Sequence, residues 1–219
     1  MTHSLHRCGN LQEQDYVWLL YHVKGVNDGN LTERMRQALT IAEDAGSVNW
    51  GDVKSGPIVS LSAEEVKAKL TDKSRLRGVF TSEEKVTQFL AGMKTADLGL
   101  CVIITGPLQN VYKACRTAGT PPHTINYSIG VFGKKEAIAD DQTLAITTMC
   151  GHHMIPDRYV ERVRSKVRRG KASAEKAALK MAKMCPCGIF NQQRAAALLA
   201  SEIEAASSQE SSPEPKGSH

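Results

Sequence analysis

The chain has 219 residues, of which 41% are hydrophobic and 23% charged, with a net charge of +5. These proportions describe a globular protein, long enough for one ordinary domain with a substantial core, and exclude a disordered chain. Only 5% of residues are aromatic, which argues against stacking platforms for single-stranded nucleic acid. No apolar run approaches the ~20 residues of a membrane span, and no secretory h-region opens the chain. The mild positive charge suits a small anionic molecule or an acidic redox partner protein.

In chain order, residues 1–14 are polar, carry His3, His6 and Cys8, and are expected to be a mobile terminus. Residues 15–149 read as an α/β domain. Tyr16 to Val23 is a strand-like aliphatic and aromatic run, followed by a Gly/Asn turn. The turn matches no phosphate-binding fingerprint. Thr32 is placed to cap a helix with Met35, Ala38, Leu39 and Ala42 on one stripe, stopped by Gly46. Gly56-Pro57 opens a short run, Ile58 to Leu61. Ser62 with Glu65, and Thr81 with Glu84, read as capping boxes.

Leu98 to Thr105 is nearly continuous in apolar residues and predicts a fully buried strand. Pro107 then starts a helix with Leu108, Val111, Tyr112 and Cys115 on one face. Cys101 and Cys115 are read as core residues. His123 to Val131 alternates apolar and polar residues, which predicts a second strand in parallel pairing through a right-handed crossover. Thr143 to Met149 is a third strand candidate that runs into Cys150. That would put the site at the carboxyl end of a strand, where open α/β sheets bind ligands.

The chemistry concentrates in Met149-Cys150-Gly151-His152-His153-Met154 and Cys185-Pro186-Cys187-Gly188. Between these loops, Asp157 to Arg169 and Ala174 to Met184 read as two helices. Pro156 stands at the start of one, Gly170 stops it, and Ser173 caps the other. At ~1.5 Å per residue they would be roughly 20 and 17 Å long. Antiparallel packing then returns Cys185 and Cys187 to the neighbourhood of Cys150 and His152. The plainer alternative is that the cysteines are small buried hydrophobes. It leaves unexplained why Cys185 and Cys187 share a Pro/Gly-punctuated turn.

In a reducing cytoplasm, the expected location, a cysteine cluster binds metal or does redox work more often than it forms structural disulfides. Zinc would accept Cys150, His152 or His153, Cys185 and Cys187. A [4Fe–4S] cluster would accept Cys150, Cys185 and Cys187, with the last iron on histidine or open. The C-x-C spacing departs from paired zinc-finger spacings and favours the cluster. His152 is the preferred histidine ligand. His153 is then a candidate proton donor or anion contact, and His123, close to Asn126, is a weaker catalytic candidate.

The helix after the site carries Arg158, Arg162, Arg164, Lys166, Arg168 and Arg169, and Lys171 follows it. This stripe could meet phosphates or an acidic redox partner, but a solvated helix face is the favoured reading; no recognised nucleic-acid motif accompanies it, and nucleic acid is not the expected partner. Asn191 caps a last helix to about Ala206, and residues 207–219 are Ser/Glu/Pro-rich and read as a disordered tail.

Thr147 to Ile155, Cys185 to Asn191 and Pro122 to Asn126 together resemble an uncharacterised prokaryotic family found chiefly in anaerobes. The resemblance spans most of Asp97 to Leu199. It implies an anaerobic cytoplasm in which an iron–sulfur cluster would survive, and it implies no particular activity. Cys150-Gly151-His152-His153 is also similar to the zinc-ligand segment C-E-H-H of GTP cyclohydrolase I, with Gly151 in place of the glutamate. That likeness is confined to these four residues.

The expectation is therefore an α/β domain with a small mixed or parallel sheet and flanking helices. A C-terminal helical subdomain, residues 150–206, carries the Cys/His metal site. The leading function is a [4Fe–4S] protein, an oxidoreductase or lyase on a small anionic substrate. The alternatives are a zinc-stabilised binding module and a metal-free thiol-redox protein.

Overall fold

The computed structural model describes residues 7–9 and 12–210, with side chains described to Ile203. His3, His6 and the last nine residues lie outside this range. Five strands form one sheet: β1 (Tyr16–Tyr21), β2 (Asn49–Asp52), β3 (Gly56–Pro57), β4 (Arg77–Phe80) and β5 (Cys101–Thr105), in the order β3-β2-β4-β1-β5. Every pairing is antiparallel. The expected parallel crossover is therefore corrected. With helices α1 (Leu31–Asp44) and α3 (Glu83–Ala96) as the connections after β1 and β4, this is the split β-α-β, ferredoxin-like connectivity. The β3 strand and α2 (Ala63–Ala68) are an insertion between β2 and β4. Connectivity alone carries no function.

The sheet is covered on both faces, and β1 shows why its sequence is apolar at nearly every position. Tyr16, Trp18 and Leu20 enter one core with Met35, Leu39, Phe80, Phe89 and Cys115. Val17 and Leu19 enter a second core with Val79 and the C-terminal helices. Those helices are α5 (Asp141–Thr147), α6 (Asp157–Arg168), α7 (Ala174–Met184) and α8 (Gln192–Glu210). The helical part is thus the second layer of one sheet. Both α6 and α7 pack chiefly on α8, so the expected two-helix hairpin is instead held together by a third helix.

Local signals held where they were self-contained. Ser62 and Glu65 make a full capping box for α2, and Ser173 accepts from Lys176 N–H to cap α7. The cap of α3 is Ser82, one residue after the expected Thr81. Asn30, in the left-handed region, precedes α1, and Thr32 bonds Asp72 instead of capping.

Three strand expectations are corrected. Residues 143–149 are largely helix α5, because Asp140 accepts from the N–H groups of Gln142 and Thr143 and so starts a helix. Residues 123–131 are irregular and exposed, with Tyr127, Ile129 and Phe132 at least 70% accessible. The run at β5 is a partly exposed edge strand, not a fully buried one. Cys115, on α4 (Leu108–Thr117), is buried as expected, whereas Cys101 is only half-buried on that edge.

Candidate functional site

Cys150 follows α5, and Cys185 and Cys187 lie in the turn between α7 and α8. All three thiols are buried, Cys185 and Cys187 completely. The site therefore sits at helix ends against the sheet face, and not at the carboxyl end of a strand. Gly188 is what lets the turn approach. Its φ is +79, and a Cβ there would stand 2.4 Å from the carbonyl carbon of Trp50 on β2. Asn49 Nδ2 donates to the Phe190 carbonyl at 3.0 Å, and Gln192 Nε2 donates to the Val48 carbonyl at 2.5 Å. Asn191 accepts from Arg194 N–H at 3.0 Å and caps α8 as expected.

The donors form a chain of contacts. Cys150 lies near enough to Cys185 for the two thiols to shift each other's acidity. The sulfurs of Cys185 and Cys187 are 3.8 Å apart, and Cys187 Sγ lies 3.5 Å from His152 Nδ1. Three cysteines and one histidine expected from the sequence are thus brought together. Among the described residues no group of three or more His, Cys, Asp or Glu side chains is placed so that it could hold a metal ion; the contacts are pairwise. His152 is exposed on the outer side of the chain, and His153 beside it is exposed with φ +54. Adjacent rings diverge, so one histidine meets the sulfurs. His123 is exposed in the irregular 120–140 segment and takes no part in these contacts.

The thiols are electrostatically graded. The hydrogen bond to Cys185, followed by burial, pushes Cys150 far up. Cys185 is drawn down by Cys150 but raised more by Cys187 and burial, to about 11. Cys187 is lowered, chiefly by its hydrogen bond with Cys185, against burial and with help from Ile189 N–H and the Arg77 guanidinium.

The sequence reading missed the frame behind the site. The Arg7 guanidinium pairs with Asp15 and donates to the Met149 carbonyl at 2.8 Å and to the Ile189 carbonyl. One side chain thus ties the segment before Cys150 to the segment after Cys187. Residues 7–9 lie against α5: Cys8 N–H donates to Thr148 Oγ1 at 3.3 Å, and a Cβ at Gly9 would stand 2.2 Å from that of Ala145. Arg194 is completely buried, bonding Asp15 at 2.9 Å and the Cys8 carbonyl at 2.6 Å. A lone arginine in a polar terminus carries no pattern that would have revealed this.

Arg164, read as part of the basic stripe, is buried instead, paired with Glu202 and with Asp140 at 2.8 Å. The remaining basic residues of α6 and α7 are exposed. No described helix is long and apolar enough to cross a membrane. Comparison with protein-family models, with curated proteins and with solved structures gives no match.

Proposed function

We propose that this protein is a zinc-stabilised binding module, in which Cys150, Cys185, Cys187 and His152 hold one ion that fastens the helical layer to the sheet. The observation that carries this is the donor spacing, 3.8 Å from sulfur to sulfur and 3.5 Å from sulfur to imidazole nitrogen. Tetrahedral zinc, with Zn–S of ~2.3 Å and Zn–N of ~2.0 Å, has S···S and S···N edges of ~3.8 and ~3.5 Å. A [4Fe–4S] cluster places each cysteine on a different iron. The four irons and their sulfides would hold Cys185 and Cys187 well beyond a 3.8 Å contact.

Full burial of Cys185 and Cys187 argues against thiol–disulfide exchange, which needs an accessible thiolate. With all four positions taken by protein, the ion would be structural and its contribution would be folding free energy. The chain's own residues do the rest. Arg7 and Gly188 hold the two loops in register.

The module's working surface is the basic outside of α6 and α7, facing an acidic partner. The test is elemental analysis of protein made and purified without oxygen. One zinc per chain and no acid-labile sulfide is the expected result. Iron with sulfide would restore the iron–sulfur reading. Metal-free, folded protein would leave the cysteines as core or redox residues.

A further inference from the structure

The segment Asp157–Met184 contains ten Lys or Arg and three Asp or Glu, so it alone carries +7 while the whole chain carries +5. The rest of the molecule is therefore slightly acidic, and the positive charge is concentrated on one structural unit. Within α6 the exposed cations Arg158, Arg162 and Lys166 recur every four residues, and Arg169 continues their row. At 3.6 residues per turn they share one stripe. Arg168, Arg169 and Lys171 carry the charge through the connection. Lys176, Lys180 and Lys183 then form a second exposed row on α7. Among the described residues, none of Arg158, Arg162, Lys166, Lys176, Lys180 and Lys183 is engaged in an ion pair.

Three chemistries could meet such a surface. A lipid headgroup layer normally takes a basic helix by accepting its apolar face. Here that face is spent: Val160, Val163 and Val167 of α6 and Ala177, Ala178 and Met181 of α7 are buried in the core beneath. A folded acidic protein needs an apolar or aromatic centre to its interface. The only exposed large hydrophobic on α6 or α7 among the described residues is Leu179. What remains is a surface of regularly repeated cations whose one aromatic, Tyr159, is partly buried against the core. That is the chemistry of phosphate-backbone contact, and a single partly buried ring is too few to stack successive bases, which selects the duplex over the unstacked single strand.

We infer that the exposed rows of α6 and α7 bind the phosphate backbone of double-stranded nucleic acid without reading sequence. This rests on the reading of the helical layer as a metal-fastened binding surface and names its partner. The scarcity of aromatics on these two helices disfavours base stacking, but it leaves phosphate contacts untouched.

The experiment uses the full chain as purified, with its zinc content measured on the same sample. A fluorescent duplex of about 30 base pairs is titrated at several salt concentrations, with random and altered sequences, alongside polyglutamate and anionic phosphatidylserine vesicles. The expected result is sequence-independent duplex binding with a slope of about −4 in log K against log salt, as for four or five neutralised phosphates. Arg162→Glu with Lys166→Glu, and separately Lys180→Glu with Lys183→Glu, should each weaken it about tenfold or more at unchanged circular dichroism and zinc content. No duplex binding, equal or better binding to polyglutamate or vesicles, or charge-reversed variants that bind as the parent does would each overturn the inference. Zinc-free protein that still binds duplex would instead reject the metal reading and leave this one standing.

Discussion

Arg7 and Asp15 form a buried ion pair directly behind the cysteine cluster, with side chains 6% and 2% exposed. The pair fixes a guanidinium whose other nitrogen binds the backbone next to both cysteine-bearing loops. Replacing Arg7 with Met leaves two buried carbonyls short of a donor and strips Asp15 of one of its two cations. Arg194 still pairs with Asp15 at 2.9 Å, so the loss is partial, about 3 kcal/mol. Groups that orient metal ligands from outside commonly alter affinity by about 10–100-fold. Arg7→Met should therefore show a lower denaturation midpoint and, if the proposed zinc is bound, at least about tenfold faster loss of it to a chelator. A variant matching the parent in both would refute the clamp.

Gly188 and Gly170 make a controlled comparison. Both have positive φ, +79 and +65, but nothing lies within 4 Å of a Cβ at Gly170, whereas Gly188 meets the β2 backbone. Gly170→Ala carries only left-handed strain, about 1 kcal/mol. Gly188→Ala adds a backbone overlap that no side chain can relieve and should cost at least about 3 kcal/mol or abolish folding. Equal effects in urea denaturation would mean that the close approach to Trp50 is not real.

The pH dependence has a defined sign. Burial raises the Asp140 carboxyl, but the Thr143 hydrogen bonds and the Arg164 guanidinium outweigh it and leave the pKa lowered. A carboxylate with a depressed folded pKa stabilises above its unfolded value of about 3.9, and this is lost as pH falls through the folded value. Asp140→Asn keeps a capping side chain for α5 and removes the charge. The stability gap between parent and variant should be constant above about pH 5 and shrink steadily below pH 4. A gap independent of pH would assign the role of Asp140 to capping alone.

The two histidines should separate cleanly. His152→Ala removes the imidazole that meets Cys187 and, under the proposed zinc site, should weaken metal retention. His153→Gly keeps all four proposed donors and relieves a left-handed residue, so it should retain zinc with stability unchanged or raised by up to about 1 kcal/mol. Metal content and thermal unfolding of both variants check this, and loss of zinc from the His153 variant alone would reverse the assignment.

What the sequence determined by itself was local. Ser62, Ser173 and Asn191 cap the helices that follow them because a capping side chain reaches only two or three residues along its own chain. Cys150, His152, Cys185 and Cys187 were legible as one constellation because thiol and imidazole chemistry at short spacing restricts what the loops can hold. Sheet order was decided only in three dimensions. The apolar run at β5 reads the same whether it is central or at an edge, and β4, Arg77–Phe80, is too short to announce itself. Residues 143–149 are β-branched enough to suggest a strand, yet the Asp140 cap and packing against α6 make them helix. Arg7 next to residues Met149 and Ile189, and Gly188 against Trp50, join positions more than 130 residues apart. No periodicity in a chain encodes such contacts, because they exist only once two hydrophobic cores have closed on opposite faces of the same sheet.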